Sequence, residues 1–322
     1  MILAFFLGCD LSGPADPADS TEQFFTVPKG ATASGLADDL AAAGVIDAEW
    51  KWKAWLRSQD GTCVKAGRHP VRPDMPKEAV LDALCAAPIP ITEDFTVLEG
   101  WRIREIDAAL ATRGWIKAGD YAAIASAPAK LTQCKVPVSL PADTLEGYLY
   151  PETYRVEVEG FTADAFICRQ LETFAARFAT PRAEAIAASK RSLPELVAMA
   201  SMIEREEPLP ENRPLIAGIL WKRIDSGWNL GVDATSRYTI ENWNDRDAFM
   251  VKLRDPSDPW NTRLRPGLPA TPIGNPGVVA LEAALAPVES PYWYYLHDST
   301  RTLHPSRNEA EHEAYRRQYS VY

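Results

Sequence analysis

The chain has 322 residues, 46% of them hydrophobic and 24% charged, which is globular composition and argues against a disordered or fibrous protein. Its formal net charge of −10 argues against a phosphate-backbone binder, which needs a Lys/Arg surplus, so no nucleic acid is expected as a partner. No apolar run reaches the roughly 18 residues of a complete transmembrane helix.

At the N-terminus, MILAFFLGC is a short apolar run ending in Gly8-Cys9, and the first cation is Lys29. Two readings stay open: the tail of a bacterial lipoprotein signal with a lipidated Cys9, and a mis-assigned start or frayed hydrophobic end. Residues 10–22 read as a flexible tether, so 1–22 are set apart as a signal-like segment. Residues 23–88 read as a small unit. FFTVPKG is a short strand ending in a turn, and residues 32–46 form an amphipathic helix with Leu36, Leu40 and Val45 near one face. A Trp-rich helix covers 48–61, a strand covers 63–71, and a closing helix covers 77–87.

The remainder, 89–322, reads as a second domain. FTVLEG opens it as a strand, and residues 101–116 form a helix with Ile103, Ile106 and Leu110 at helical spacing. TLEGYLYPETYRV is strand or extended loop, interrupted by Pro151. Residues 162–190 are helical. Residues 192–208 carry the clearest helix signal, with Ser192 and Glu195 as a capping box, Pro194 in the first turn and Pro208 as the stop. Leu196, Met199, Ala200 and Ile203 share its apolar face. Glu204 falls on one flank of that face and Glu206 on the other. Residues 255–277 hold six prolines and three glycines, a long loop stiffened by Pro and anchored by Trp260, Leu264, Leu268 and Ile273. A helix (276–287), an aromatic strand (292–296) and a terminal helix (308–319) finish the chain.

After Cys9, four cysteines remain, with no CxxC spacing and no histidine cluster to make a zinc site. Two states stay open: two disulfides, with 63–85 and 134–168 the most local of three connectivities, or four buried thiols. No GxSxG, GxGxxG or P-loop occurs. What remains is carboxylate chemistry: Glu99, Glu146, Glu152, Glu204 and Asp233, with aromatics interleaved. Carboxyls beside aromatic platforms suit sugars, because aromatic faces cover pyranose rings and a carboxyl of raised pKa can protonate a glycosidic oxygen.

The strings VPKG, LAAAGVI, KAGRHPV, VLEGW, LEGYLYPETY, ASMIEREE, LWKRIDSGWNLGVDAT and WNTRLRPGLPATPIGNPG occur in that order over about residues 23–315. In these the chain resembles the endolytic murein transglycosylases of the YceG-like (MltG) family. The resemblance implies an α+β fold with a LysM-like unit over 23–88 and a YceG-like catalytic domain over 89–322. It implies a lyase of the bacterial cell envelope that cuts MurNAc–GlcNAc bonds within peptidoglycan strands, leaves 1,6-anhydro-MurNAc ends and terminates nascent strands. It further implies no cofactor and no metal, an N-terminal anchor in the cytoplasmic membrane, and peptidoglycan synthases as candidate partners.

By the same resemblance Glu204 is the catalytic acid, with Glu146, Tyr148, Glu152, Tyr154, Asp233, Thr235 and Asn261 around the substrate. For Asn261 and Tyr148, readings as a loop-capping amide and a half-buried aromatic stay open beside this one. The chain departs from the family pattern at Trp260, Arg263 and the Leu303-His304-Pro305-Ser306 string. Competing functions are a hydrolase, in which a second carboxylate activates water, and a non-catalytic peptidoglycan-binding lipoprotein.

Overall fold

A computed structural model describes residues 11–131 and 133–320, so the signal-like run 1–9 lies outside the described residues. The chain divides into two compact units, residues 1–93 with 157–160, and residues 94–156 with 161–322.

In the first unit, strand β1 (Gln23–Val27) pairs antiparallel with β2 (Gly67–Val71), Gln23 opposite Val71 and Val27 opposite Gly67. Between them come helices α1 (Ala37–Ala42) and α2 (Glu49–Leu56), and α3 (Lys77–Cys85) follows. Phe25, Val27, Leu40, Trp52, Val71, Val80 and Leu84 form the core. The first helix is shorter than its periodicity predicts. Thr32 Oγ1 accepts a hydrogen bond from Gly35 N at 3.1 Å and holds a turn ahead of it, while Gly44 at φ +69° ends it.

The tether expectation needs correcting. Lys77 N donates to Ser12 O at 3.0 Å, Lys77 Nζ donates to Gly13 O at 3.0 Å, and Asp16 N donates to Pro73 O at 3.0 Å. Leu11 packs on the core as well, so the described part of the segment is held against this unit. Cys63 and Cys85 are bonded, with Cα atoms 5.0 Å apart.

Strand β3 (Thr92–Thr96) pairs with β4 (Thr153–Glu157), and helices α4 (Ile103–Thr112) and α5 (Asp120–Ala125) lie between them in sequence. β4 begins only after Pro151, as the interrupted pattern of 145–154 requires. The helical stretch after it is not continuous. Helix α6 (Ala163–Phe174) passes through a π-type turn at Ala175–Ala179, and α7 (Ala183–Ala188) restarts beyond Pro181. Cys134 and Cys168 form the second disulfide, Cα to Cα 5.3 Å.

Helix α8 (Leu193–Glu206) is the centre of this unit, with Leu196, Val197, Met199, Ala200, Met202 and Ile203 all buried. It is followed by α9 (Arg213–Asp225), α10 (Asp233–Arg237) and α11 (Arg246–Leu253). The Pro-rich loop then leads to α12 (Val278–Leu285), which packs on α8 and α9. The antiparallel pair β5 (Tyr294–His297) and β6 (Leu303–Ser306) and helix α13 (Glu309–Gln318) close the chain. Periodicity missed α9, which is apolar on more than one face, and β6, whose Pro305 argues against a strand.

Candidate active site

Helix α8 starts where its sequence says it should. Ser192 Oγ accepts from Glu195 N, and Glu195 Oε2 accepts from Ser192 N at 2.7 Å, which completes the capping box. At the other end stand four charged residues, Glu204 to Glu207, each with its own partners.

Glu204 turns into the protein. Arg213 Nη2 donates to its Oε1 at 2.6 Å and Gly277 N donates to its Oε2 at 2.9 Å. Both members of the Glu204–Arg213 pair are nearly closed to solvent, with side chains 5% and 6% exposed. Burial raises the Glu204 pKa, against the pull of Arg213 and of the Gly277 amide. With both oxygens taken by a buried cation and a backbone amide, this carboxyl has a structural place. A sugar oxygen that approached it would compete with Arg213 and the Gly277 amide.

Glu206 turns the other way, onto a cavity of about 740 Å³ built entirely from the second unit. Tyr295 OH donates to its Oε2 at 2.9 Å. Burial lifts its pKa above the usual carboxylate range; the Tyr295 hydroxyl opposes the shift, Asp233 adds to it, and His297 and Arg223 oppose it. Next in sequence, the fully buried Glu207 receives His297 Nε2 at Oε2, 2.9 Å, and Leu209 N at Oε1, 2.8 Å.

The cavity is lined by both aromatic and charged side chains. Trp228 stacks obliquely on Trp293, centroids 4.8 Å apart, and meets Tyr294 edge-on at 5.9 Å. Trp228 is exposed despite its size. Opposite in chemistry are Arg223, Arg263 and Asp233. Arg263 Nη2 lies 2.5 Å from Asp233 Oδ1. Arg223 is fixed by donating to Trp293 O at 2.9 Å and to Leu230 O.

The Pro-rich loop holds this wall in place. Thr262 O accepts from Gly231 N at 3.0 Å and Thr262 Oγ1 accepts from Val232 N at 3.1 Å. Thr235 Oγ1 donates to Val232 O at 2.7 Å, and Asn229 Nδ2 donates to Arg263 O at 2.9 Å. Asn261 fastens the loop to itself and to the end of α11: Nδ2 donates to the carbonyls of Lys252, Leu253 and Asp255 at 3.0–3.1 Å, and Oδ1 accepts from Arg263 N and Leu264 N.

Of the eight residues singled out from sequence, Asp233 alone lines the cavity with Glu206. Glu146 is buried, accepting from Ile103 N, from Tyr238 OH at 3.0 Å and from Asn275 Nδ2 at 3.1 Å, and burial pushes its pKa up to about 7. Tyr148 is buried against Phe174, and Tyr154 is buried with its hydroxyl donating to Tyr150 O at 2.6 Å. Glu152 pairs with Arg177 beside a separate shallow depression. Thr235 and Asn261 are fully buried supports. Trp228, Arg223, Tyr294, Tyr295 and His297 line the cavity without standing out from the sequence as site residues; the aromatic run YWYYL was the available signal.

Among the described residues no group of His, Cys, Asp and Glu gathers as metal ligands would. Comparison with known proteins agrees with the sequence motifs. The YceG-like family profile matches residues 25–318. The endolytic murein transglycosylase of Bacillus subtilis (strain 168) is 26% identical over 98% of this chain and 90% of its own. That of Streptococcus pneumoniae serotype 2 is 23% identical over 89% of this chain and 56% of its own. A crystal structure of a yceG-like protein from Listeria monocytogenes superposes with a TM-score of 0.62 at 23% identity, covering 92% of this chain and 99% of that one. With nearly its whole length matched by one profile, the chain belongs to the YceG-like family.

Proposed function

We propose that this protein is an endolytic peptidoglycan lytic transglycosylase whose acid is Glu206. The activity rests on the family and on relatives that bear that name over most of this chain. The residue assignment rests on one observation: a carboxyl of raised proton affinity at the wall of a cleft that also presents Trp228 and Tyr294. It replaces the sequence expectation of Glu204, whose oxygens are taken by Arg213 and Gly277.

In this reading Glu206 gives its proton to the glycosidic oxygen, and the GlcNAc side leaves as an alcohol. The acetamido oxygen of the MurNAc stabilises the cationic anomeric carbon, so no protein nucleophile is needed. Glu206, now a carboxylate, takes the proton of the C6 hydroxyl as that oxygen closes on the anomeric carbon. Ring closure is intramolecular and gains from proximity. No water is consumed and the carboxyl is regenerated. Asp233 is engaged by Arg263, which disfavours it as the water-activating base of an inverting hydrolase.

The finer expectations join this proposal. The strand–helix–helix–strand order of the first unit supports a LysM-like module that holds glycan. An envelope location with an N-terminal membrane anchor suits such a substrate, and peptidoglycan synthases are fitting partners for an enzyme that ends nascent strands. Among the described residues no helix is long and apolar enough to cross a membrane, so the anchor would lie outside them.

The test is mass spectrometry of products from purified sacculi. Anhydro ends are expected from the parent protein, near-complete loss from Glu206→Gln, about 10²–10⁴-fold, and retained cleavage per folded molecule from Glu204→Gln. Reducing ends in place of anhydro ends would make the protein a hydrolase.

A further inference from the structure

Glu206 is the last residue of α8, and the side chain it carries has three rotatable bonds. A long side chain at a helix end is aimed only by what it touches, so an acid placed there is fixed by its hydrogen-bond partners. Strand β5 supplies one. Alternate residues of a strand share a face, and Tyr295 and His297 take hold of Glu206 and Glu207 respectively, each at 2.9 Å. The Tyr295 ring is itself fixed. Its backbone stands opposite Pro305 in the β5–β6 pair, the Arg223 guanidinium lies 5.8 Å from its centroid, and His297 meets it edge-on at 6.3 Å.

Resting on Glu206 as the acid, we propose that Tyr295 is a positioning residue for the reaction, its hydroxyl tying one carboxyl oxygen of Glu206 so that the group is aimed into the cleft. Tyr295 need touch no sugar to do this. A phenol that donates to a carboxyl favours the ionised form, so the same contact also holds the acid's proton affinity down against burial. The other groups bearing on Glu206 are Asp233 from α10, which raises it, and His297 from β5 and Arg223 from α9, which lower it. Arg205, next to it in α8, Arg263, from the loop, and Glu309, His312, Glu313 and Arg316, from α13, line the same cavity. None of these changes when Tyr295 becomes Phe, which leaves the ring and removes the hydroxyl alone.

The experiment is a pH profile of kcat and KM for Tyr295→Phe on soluble, peptide-bearing glycan strands, with Glu206→Gln assayed beside it and circular dichroism melts as the folding control. The alkaline limb of kcat/KM reports the acid of the free enzyme. The expected result is a kcat lowered about ten-fold with KM little changed, as for a misaimed group. The alkaline limb should also move to higher pH by about half to one unit. A profile that superposes on the parent's, at parent kcat, overturns the proposal. So does a raised KM with an unmoved limb, which would make Tyr295 a substrate contact. Full activity of Glu206→Gln would instead remove the acid on which the proposal rests. An inactive Glu206→Gln with an unaltered Tyr295→Phe would sink the positioning role alone.

Discussion

Glu204 and Arg213 occupy a place where loss of either partner is costly. A buried pair broken on one side leaves an uncompensated charge, and such losses run to about 3–5 kcal/mol. Glu204→Ala should therefore lower stability by about 3 kcal/mol, read from urea melts, while specific activity of the folded fraction stays near the parent's. Loss of activity with no loss of stability would return the acid to Glu204.

Glu146 gives a pH prediction of definite sign. Its pKa rises from 4.5 to about 7 on folding because it is buried, so the folded protein holds a proton that the unfolded chain has released. Its contribution to stability is fully present below about pH 4.5 and is lost as pH rises through about 7, some 3 kcal/mol over that interval. In Glu146→Gln, whose amide stays neutral throughout, the fall in melting temperature between those pH values should be shallower than in the parent. Equal slopes would show that Glu146 is ionised when folded. At this scale the sequence points to a carboxylate on the flank of α8 and not to which flank meets the cavity. Glu204 and Glu206 sit on the two flanks of one apolar stripe. Which flank opens on a cleft is set by Arg213, at the start of the next helix, and by Gly277 and β5, both distant in sequence.

Among the elements, the start and end of α8 were legible because capping and proline signals are local, whereas α9 was not, because it is buried on more than one side. The Pro-rich loop was legible as an ordered segment for a physical reason: its anchors and prolines are visible in the string. The task of Asn261 was not, since its five hydrogen-bond partners reach back to α11. Helix–loop contacts at backbone distance are equally silent in sequence. Gly218 in α9 is such a case: a Cβ there would stand 1.9 Å from the carbonyl oxygen of Val288. Helix propensity alone would make Gly218→Ala favourable, by about 1 kcal/mol. The clash is with backbone and should reverse that sign, costing about 1–3 kcal/mol as other overpacked sites do. A Gly218→Ala protein as stable as the parent, by urea melt, would mean that the segment after α12 yields freely.

For the molecule as a whole, the two disulfides follow the division into units. Cys63–Cys85 closes a separation of 22 residues within the first, and Cys134–Cys168 closes 34 within the second. Loops of these lengths correspond to about 3–4 kcal/mol each if the bridges act by restricting the unfolded chain. The cavity with Glu206 takes its walls wholly from the second unit. Replacing Cys63 and Cys85 together by Ser should therefore lower the melting temperature of the unit that contains them. Cleavage of short soluble strands at 25 °C should stay within about two-fold of the parent, because no cleft residue depends on that bridge. Replacing Cys134 and Cys168 together should lower the temperature at which cleavage is lost, because the destabilised unit is the one that holds Glu206 and its cavity. Scanning calorimetry paired with activity after stepwise heating distinguishes the two variants. If the first variant lost cleavage at a temperature where the second unit still gave its native near-ultraviolet signal, the activity would need the first unit as well.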